Sequence, residues 1–105
     1  MPPSFDDLGR FSDVALLILL SLAQGPKHGY AMIEDIQTFS GTLLEPGTLY
    51  GALLRLEQRG WILPQPMEER RRPYTITPNG MAALHAGLAT LSRIVSVGAA
   101  RVALT

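Results

Sequence analysis

The sequence predicts a mostly α chain with one small β-hairpin, and three observations carry that expectation. Gly47–Ile62, GTLYGALLRLEQRGWI, has the spacing of a short amphipathic helix, then a glycine stop, then a strand. Further on, Arg72-Pro73-Tyr74-Thr75-Ile76-Thr77 reads as a returning strand that feeds another helix. Between the two strands stand consecutive arginines, Arg70, Arg71 and Arg72. Helix, hairpin and helix with arginines at the hairpin tip is the layout of a winged helix-turn-helix, an architecture that reads DNA.

Composition narrows the classes. The 105 residues suit one domain, able to bury about two-thirds of its unfolded surface. With 47% hydrophobic and 17% charged residues, the chain is globular in composition. The longest apolar run, Val14–Leu20, is about a third of the ~20 residues a membrane span needs, so no membrane partner is expected. The start, MPPSFDDLGR, carries no basic region or cleavage pattern of a signal peptide. Zero cysteines exclude disulfides and thiolate chemistry, and the expected address is cytoplasmic. Net charge is zero, with a pI near 6.7, which predicts weak non-specific affinity for nucleic acid. DNA feels the local field, however, and Asp6, Asp7, Asp13, Glu34 and Asp35 lie far in sequence from the arginine run.

Each element has a local reason. Residues 1–11 read as an arm. Ser12 or Asp13 is placed to cap a helix running to about Ala23, by accepting from its free first-turn amides. That helix is apolar on almost every side, so a second chain is expected to cover part of it. Gly25-Pro26-Lys27-His28-Gly29 breaks it, and Tyr30–Thr38 forms the next helix, with Tyr30, Ile33, Ile36 and Phe39 as its apolar set. Gly41 ends that helix. Pro46 suits the first turn of a third helix reaching about Arg59, and Gly60 suits the left-handed position beyond its end. Leu49, Ala52, Leu53 and Leu56 face the core; Thr48, Gly51, Arg55, Gln58 and Arg59 fall opposite. Trp61–Leu63 and Tyr74–Ile76 are the strands, kept short by Pro64, Pro66 and Pro73. Thr77 caps a last helix with Pro78 at its first position.

In that last helix Met81, Leu84, Leu88, Leu91, Val95, Gly98 and Val102 alternate steps of three and four, a heptad seam widened by Ile94, Val97 and Leu104. Either the helix lies on its own domain or it dimerises, and the second reading is preferred because the hairpin domain is complete at Thr77. The division is therefore an arm at 1–11, a DNA-binding domain at 12–77 and a dimerisation helix at 78–105. Leu16, Leu20, Leu84, Leu88, Leu91, Val95 and Val102 form the expected homodimer interface.

DNA presents closely spaced phosphates, so affinity requires several cations and specificity requires side chains at base edges. Arg70, Arg71 and Arg72 suit phosphate or minor-groove contact. Lys27 and Tyr30 open the second helix, which in this architecture crosses the DNA backbone. Thr48 and Gly51 permit close approach. Arg55 is able to pair with guanine or with Glu45 or Glu57. Tyr50 divides between packing and phosphate contact, and Trp61 is expected to pack in the core. QGPKHG at residues 24–29 lacks the Gly-Lys-Ser/Thr ending of a phosphate loop and follows a helix, so it is set aside. With only His28 and His85, far apart, no metal site is expected. No HExxH, GxSxG or motif-placed acid pair appears, so neither catalysis nor a cofactor is expected.

Three segments in order resemble the PadR family of bacterial transcriptional regulators: LLILLSLAQGPKHGYAMIEDI at Leu16–Ile36, GTLYGALLRLEQRGWI at Gly47–Ile62, and RRRPYTITPNGMAAL at Arg70–Leu84. The short tail resembles the subfamily with a single C-terminal helix. The resemblance implies a winged-helix dimer that represses transcription from a pseudo-palindromic operator in double-stranded DNA, often under a small-molecule effector. It also implies that the Pro46–Arg59 helix enters the major groove, with Tyr50 and Arg70–Arg72 near phosphates. Two departures stand out. Gln65-Pro66-Met67-Glu68-Glu69 replaces a wing usually rich in glycine and lysine, and Thr75 stands where a basic residue is frequent. Two other readings stay open: a winged protein-interaction module that does not bind DNA, and a sensor with its ligand pocket at the dimer interface.

Overall fold

The computed structural model describes residues 11–103. The expected arm therefore lies outside the described residues except for Phe11, as does Leu104 of the heptad seam. The elements are α1 (Phe11–Ala23), α2 (Gly29–Ser40), α3 (Pro46–Gln58), β1 (Ile62–Pro64), β2 (Tyr74–Ile76) and α4 (Pro78–Ala103). This is the mostly helical winged fold that the sequence predicts. Ser12 and Asp13 lie inside α1 instead of preceding it, because the helix is already formed at Phe11.

The core sits among α1, α2 and α3, with β1 and the start of α4 closing one end. α1 contributes Val14, Ile18, Leu19 and Leu22, all buried, while Leu16, Leu17 and Leu20 are half-buried. The one buried polar side chain among the described residues, Ser21, donates its hydroxyl to Asp35 Oδ2 at 2.7 Å, so its burial leaves no unmet bond.

α2 turns a different face inward from the one its spacing suggests. Met32 and Ile36 are buried and Ile33 is half-buried, but Tyr30 and Phe39 are exposed. The physical reason lies at Gly29. A Cβ there would stand 2.5 Å from the Tyr50 hydroxyl oxygen and 3.3 Å from Leu49 Cδ2. Glycine lets α3 approach the first turn of α2, and that contact sets the rotation of the helix. His28 Nδ1 caps α2 by accepting from the Ala31 amide at 3.3 Å, and Gly41, at φ 73°, closes its far end.

α3 buries Leu49, Ala52, Leu53 and Leu56 as expected. Its end is a paired glycine stop. The Gly60 amide donates to Glu57 O at 2.9 Å and the Trp61 amide to Leu56 O at 3.0 Å, which satisfies two terminal carbonyls.

β1 and β2 pair antiparallel in the register Ile62↔Ile76, Leu63↔Thr75 and Pro64↔Tyr74. β1 is displaced by one residue from the expected Trp61–Leu63, because Trp61 is held in the helix stop. A third rung comes from the α1–α2 connection, where Lys27 and Tyr74 exchange backbone hydrogen bonds of 3.2 and 3.0 Å. The wing continues beyond β1 through Gln65 N to Pro73 O, 2.8 Å, and ends where Glu68 and Arg71 exchange two bonds of 2.8 Å. The two residues between them, Glu69 and Arg70, have φ of 48° and 70°. Two left-handed residues match the right-handed twist of the hairpin, but neither is the glycine or asparagine that takes this conformation at least cost.

α4 starts on this junction. Thr77 Oγ1 accepts from the Gly80 amide at 3.0 Å and donates to Gly60 O at 2.6 Å. Gly80 is buried directly against the Trp61 carbonyl, where a Cβ would collide with backbone and with Ile76 Cγ1. Leu84 is the last residue of α4 in the core. Beyond it Leu88, Leu91, Ile94, Val95, Val97 and Val102 are exposed, and the helix projects so that the described chain extends 54 × 32 × 21 Å. α4 is long and apolar enough to cross a membrane by length and mean hydropathy (1.3), although Arg93 and Arg101 stand within it.

Two outcomes follow for stability. Gly80→Ala should cost about 2 kcal/mol or more, because backbone blocks the added methyl and neither helix yields cheaply; an unchanged melting temperature would contradict the packing described. The second concerns Tyr74, whose phenol is pushed above its ordinary 10.0 by burial, with Glu57 and Tyr50 adding and Arg72 opposing. A raised phenol pKa supports folding fully below the unfolded value and loses that support as pH rises through the folded one. Thermal stability should therefore decline as pH passes about 10, and Tyr74→Phe should flatten that decline in melting curves taken across pH.

Candidate nucleic-acid interface

Two pieces of structure flank the outer surface of α3: the first turn of α2 and the wing. At the first turn of α2, Tyr30 is 63% exposed and Tyr50 from α3 leans over it, 48% exposed. The positive end of the helix dipole and the nearby tyrosine hydroxyl are suited to an anionic oxygen. Lys27 is placed differently from its expected role. Its ammonium donates to the Ser21 carbonyl and lies 3.8 Å from Asp35 Oδ2, with only 16% of the side chain exposed. It ties the α1–α2 connection to both helices instead of facing solvent.

At 3.6 residues per turn, the ridge of α3 opposite its buried side is Gly47, Gly51, Leu54 and Gln58. Tyr50 flanks this ridge toward α2. Thr48, Arg55 and Arg59 flank it on the other side. Thr48 is exposed near the helix start. Arg55 and Arg59, together with Trp61, line an apolar groove of about 570 Å³ whose remaining walls are Ala15, Leu16 and Leu19 of α1, Ala52 and Leu56 of α3, and Ala83 and Gly87 of α4. The Arg59 guanidinium carbon lies 5.2 Å from the Trp61 ring centre, a cation–π contact. Trp61 is thus only half-buried, packing on the core with one face while forming a groove wall with the other.

The wing arginines do not act as three equal cations. Arg71 Nη1 lies 3.2 Å from His28 Nε2, and Arg72 Nη1 donates to Gln65 O at 2.7 Å. Arg70, at the left-handed tip, is exposed and has no hydrogen-bond partner among the described residues. Arg71 lies beside the start of α2 and Arg72 braces the wing's two arms, while all three remain exposed. Thr75, in the place of the frequent basic residue, accepts from Gln65 Nε2 at 2.9 Å and so stiffens the hairpin.

Of the expected interface residues, Leu84 belongs to the chain's own core at 3% exposure. Leu16 and Leu20 are half-buried, and the uncovered stripe of α4 runs from Leu88 through Leu91 and Val95 to Val102. Leu16 also meets α4 directly, its Cδ1 lying 3.1 Å from where a Cβ on Gly87 would stand. Leu54, 56% exposed in the middle of the outward ridge, escaped the sequence reading. Projecting the helix from Gly47 instead of Thr48 would have found it. Among the described residues no cluster of three or more His, Cys, Asp or Glu is able to hold a metal.

Comparison with known proteins agrees with this geometry. The profile described as "Transcriptional regulator PadR-like family" matches residues 18–86, from mid-α1 into α4. A curated protein of Streptomyces fradiae, described as an uncharacterized 37.1 kDa protein in transposon TN4556, is 41% identical over 85 residues. The match takes in 81% of this chain but 25% of that protein, so the chain spans about a quarter of the relative's length. A transcriptional regulator from Clostridium thermocellum superposes with TM-score 0.77 at 29% identity, covering 91% of this chain and 94% of the other. A PadR family transcription regulator from Clostridium difficile does so with TM-score 0.74 at 26% identity, covering 80% and 92%. With its helix stops, wing and projecting last helix in that arrangement, the chain belongs to the PadR-like family of transcriptional regulators.

Proposed function

We propose that this chain is a cytoplasmic, dimeric DNA-binding repressor that occludes a promoter by straddling a pseudo-palindromic site. The observation that carries the reading is the surface around α3. An outward ridge free of bulk at Gly47 and Gly51 lies beside the first turn of α2, with its exposed Tyr30, and a wing tipped by Arg70. Tyr30, Tyr50, Thr48 and Arg70 contact the phosphate backbone, with Arg71 and Arg72 contributing charge while they hold the wing in place. Lys27 serves by positioning α2. Arg55 sits at the edge of the interface nearest the groove.

Dimerisation is supported by the uncovered α4 stripe, whose heptad spacing suits a second helix, and by the half-buried Leu16 and Leu20 beside it. Two heads joined in this way present two α3 helices about one DNA turn apart. An effector or partner that alters that separation releases the DNA. The groove between α1, α3 and α4 supports an effector site, since it joins the back of α3 to both elements of the expected interface.

Two measurements test the reading. In fluorescence anisotropy with the gene's own upstream DNA against scrambled DNA, binding should be selective and weaken with salt. The Arg70/Arg71/Arg72→Ala triple variant should lower the salt slope by about one to three, and Arg70→Ala alone by about one. Absence of selectivity at low salt would favour the protein-interaction reading that the zero net charge suggests. For the dimer, Leu88→Asp should convert the protein to monomer in sedimentation equilibrium, because a charge in the seam must be desolvated without a partner. A dimer of unchanged affinity would exclude the α4 interface.

A further inference from the structure

We infer that Leu54 is a specificity-determining residue that reads thymine through its 5-methyl group; the inference rests on the DNA-binding reading above and adds a base preference to it. Leu54 is the one large apolar side chain on the outward ridge of α3 and is 56% exposed. Nothing in the core requires it there, since α3 already packs through Leu49, Ala52, Leu53 and Leu56. A helical side chain leans toward the N-terminus, over the residue three or four positions back. For Leu54 these are Gly51 and Tyr50, so no bulk on the ridge itself covers it.

The two glycines upstream support the same conclusion. A Cβ added at Gly47 would meet nothing within 4 Å, and one at Gly51 would meet only Arg55 Nη1 at 3.7 Å. Neither has the positive φ that favours glycine. The chain's own packing therefore does not call for glycine at either place, although glycine weakens a helix. A body outside the chain that must come close to the α3 backbone does call for it. With α3 seated that close, Leu54 is the side chain that reaches the floor of the groove. It has no polar atom with which to answer the donors and acceptors displayed there. Among the four bases only thymine presents an apolar group in the major groove, so thymine is the complementary partner.

The test begins with wild-type protein selecting from a random duplex pool of about 30 base pairs, roughly three helical turns. Each thymine in the selected duplex is then replaced by uracil, which removes the methyl group and keeps the pairing edge. Wild-type protein should lose about fourfold in affinity at one thymine in each half-site, the worth of one buried methyl. Leu54→Ala should bind the thymine duplex more weakly and no longer distinguish uracil there, with its melting temperature unchanged. Gly51→Ala should melt at the same or a higher temperature yet bind DNA at least tenfold more weakly. If the uracil penalty persists in Leu54→Ala, or appears at no position, the assignment of Leu54 is overturned while DNA binding stands. If the wild-type protein selects no sequence, the DNA reading falls and this inference with it.

Discussion

The carbonyl group of Trp61 is the point on which the arrangement of this chain turns. It accepts from the Thr77 amide at 3.0 Å, so β2 cannot leave the strand register without breaking the start of α4. It also lies against Gly80, which brings the first turn of α4 down onto the end of α3. The amide of the same residue completes the stop of α3 through Leu56. The backbone of one residue thus joins the helix expected in the DNA groove, the hairpin beside it and the helix that leaves the domain. The Thr77 hydroxyl doubles the tie by bonding Gly60 on one side and Gly80 on the other. Because these bonds converge on one junction and Gly80 is packed against backbone there, α3 and α4 are fixed in relation to each other, and a displacement of one is felt by the other.

A second tie governs the opposite edge of α3. Lys27 and Tyr74 pair through their backbones, so the wing is attached to the start of α2 at its base, and Arg71 lies beside His28 nearer its tip. The Lys27 side chain then engages Ser21 and Asp35, which carries the attachment into α1. The surface around α3 is therefore framed by structure, with the left-handed turn at Glu69 and Arg70 as its outermost point.

Much of this was legible in the sequence because local chemistry decided it. Gly41 and Gly60 stop their helices through left-handed backbone, Thr77-Pro78 starts α4, and the inward side of α3 follows from its spacing alone. Other features depend on contacts between distant residues, and no local pattern encodes those. α2 carries two overlapping apolar stripes, and the approach of Tyr50 to Gly29 selects the one with Met32 and Ile36. Ser21 and Asp35 meet across fourteen residues, which turned Lys27 inward. The arginine run was visible as charge, but the approach of Arg71 to His28 and the bond of Arg72 within the wing were not. On α3 Leu54 falls on the outward ridge between Gly51 and Gln58, a placement that the run of apolar residues around it concealed.

The projecting half of α4 also has a consequence for how the protein behaves in solution. Its exposed stripe belongs to a chain with no net charge and a pI near 6.7, so long-range repulsion does not keep copies apart near neutral pH. The exposed stripe is therefore open to contact between copies, which net charge does little to oppose. Raising the salt concentration strengthens that tendency while weakening attraction to phosphates. Ionic strength thus acts on the same molecule in two opposed directions, strengthening contact between apolar faces and weakening contact between opposite charges.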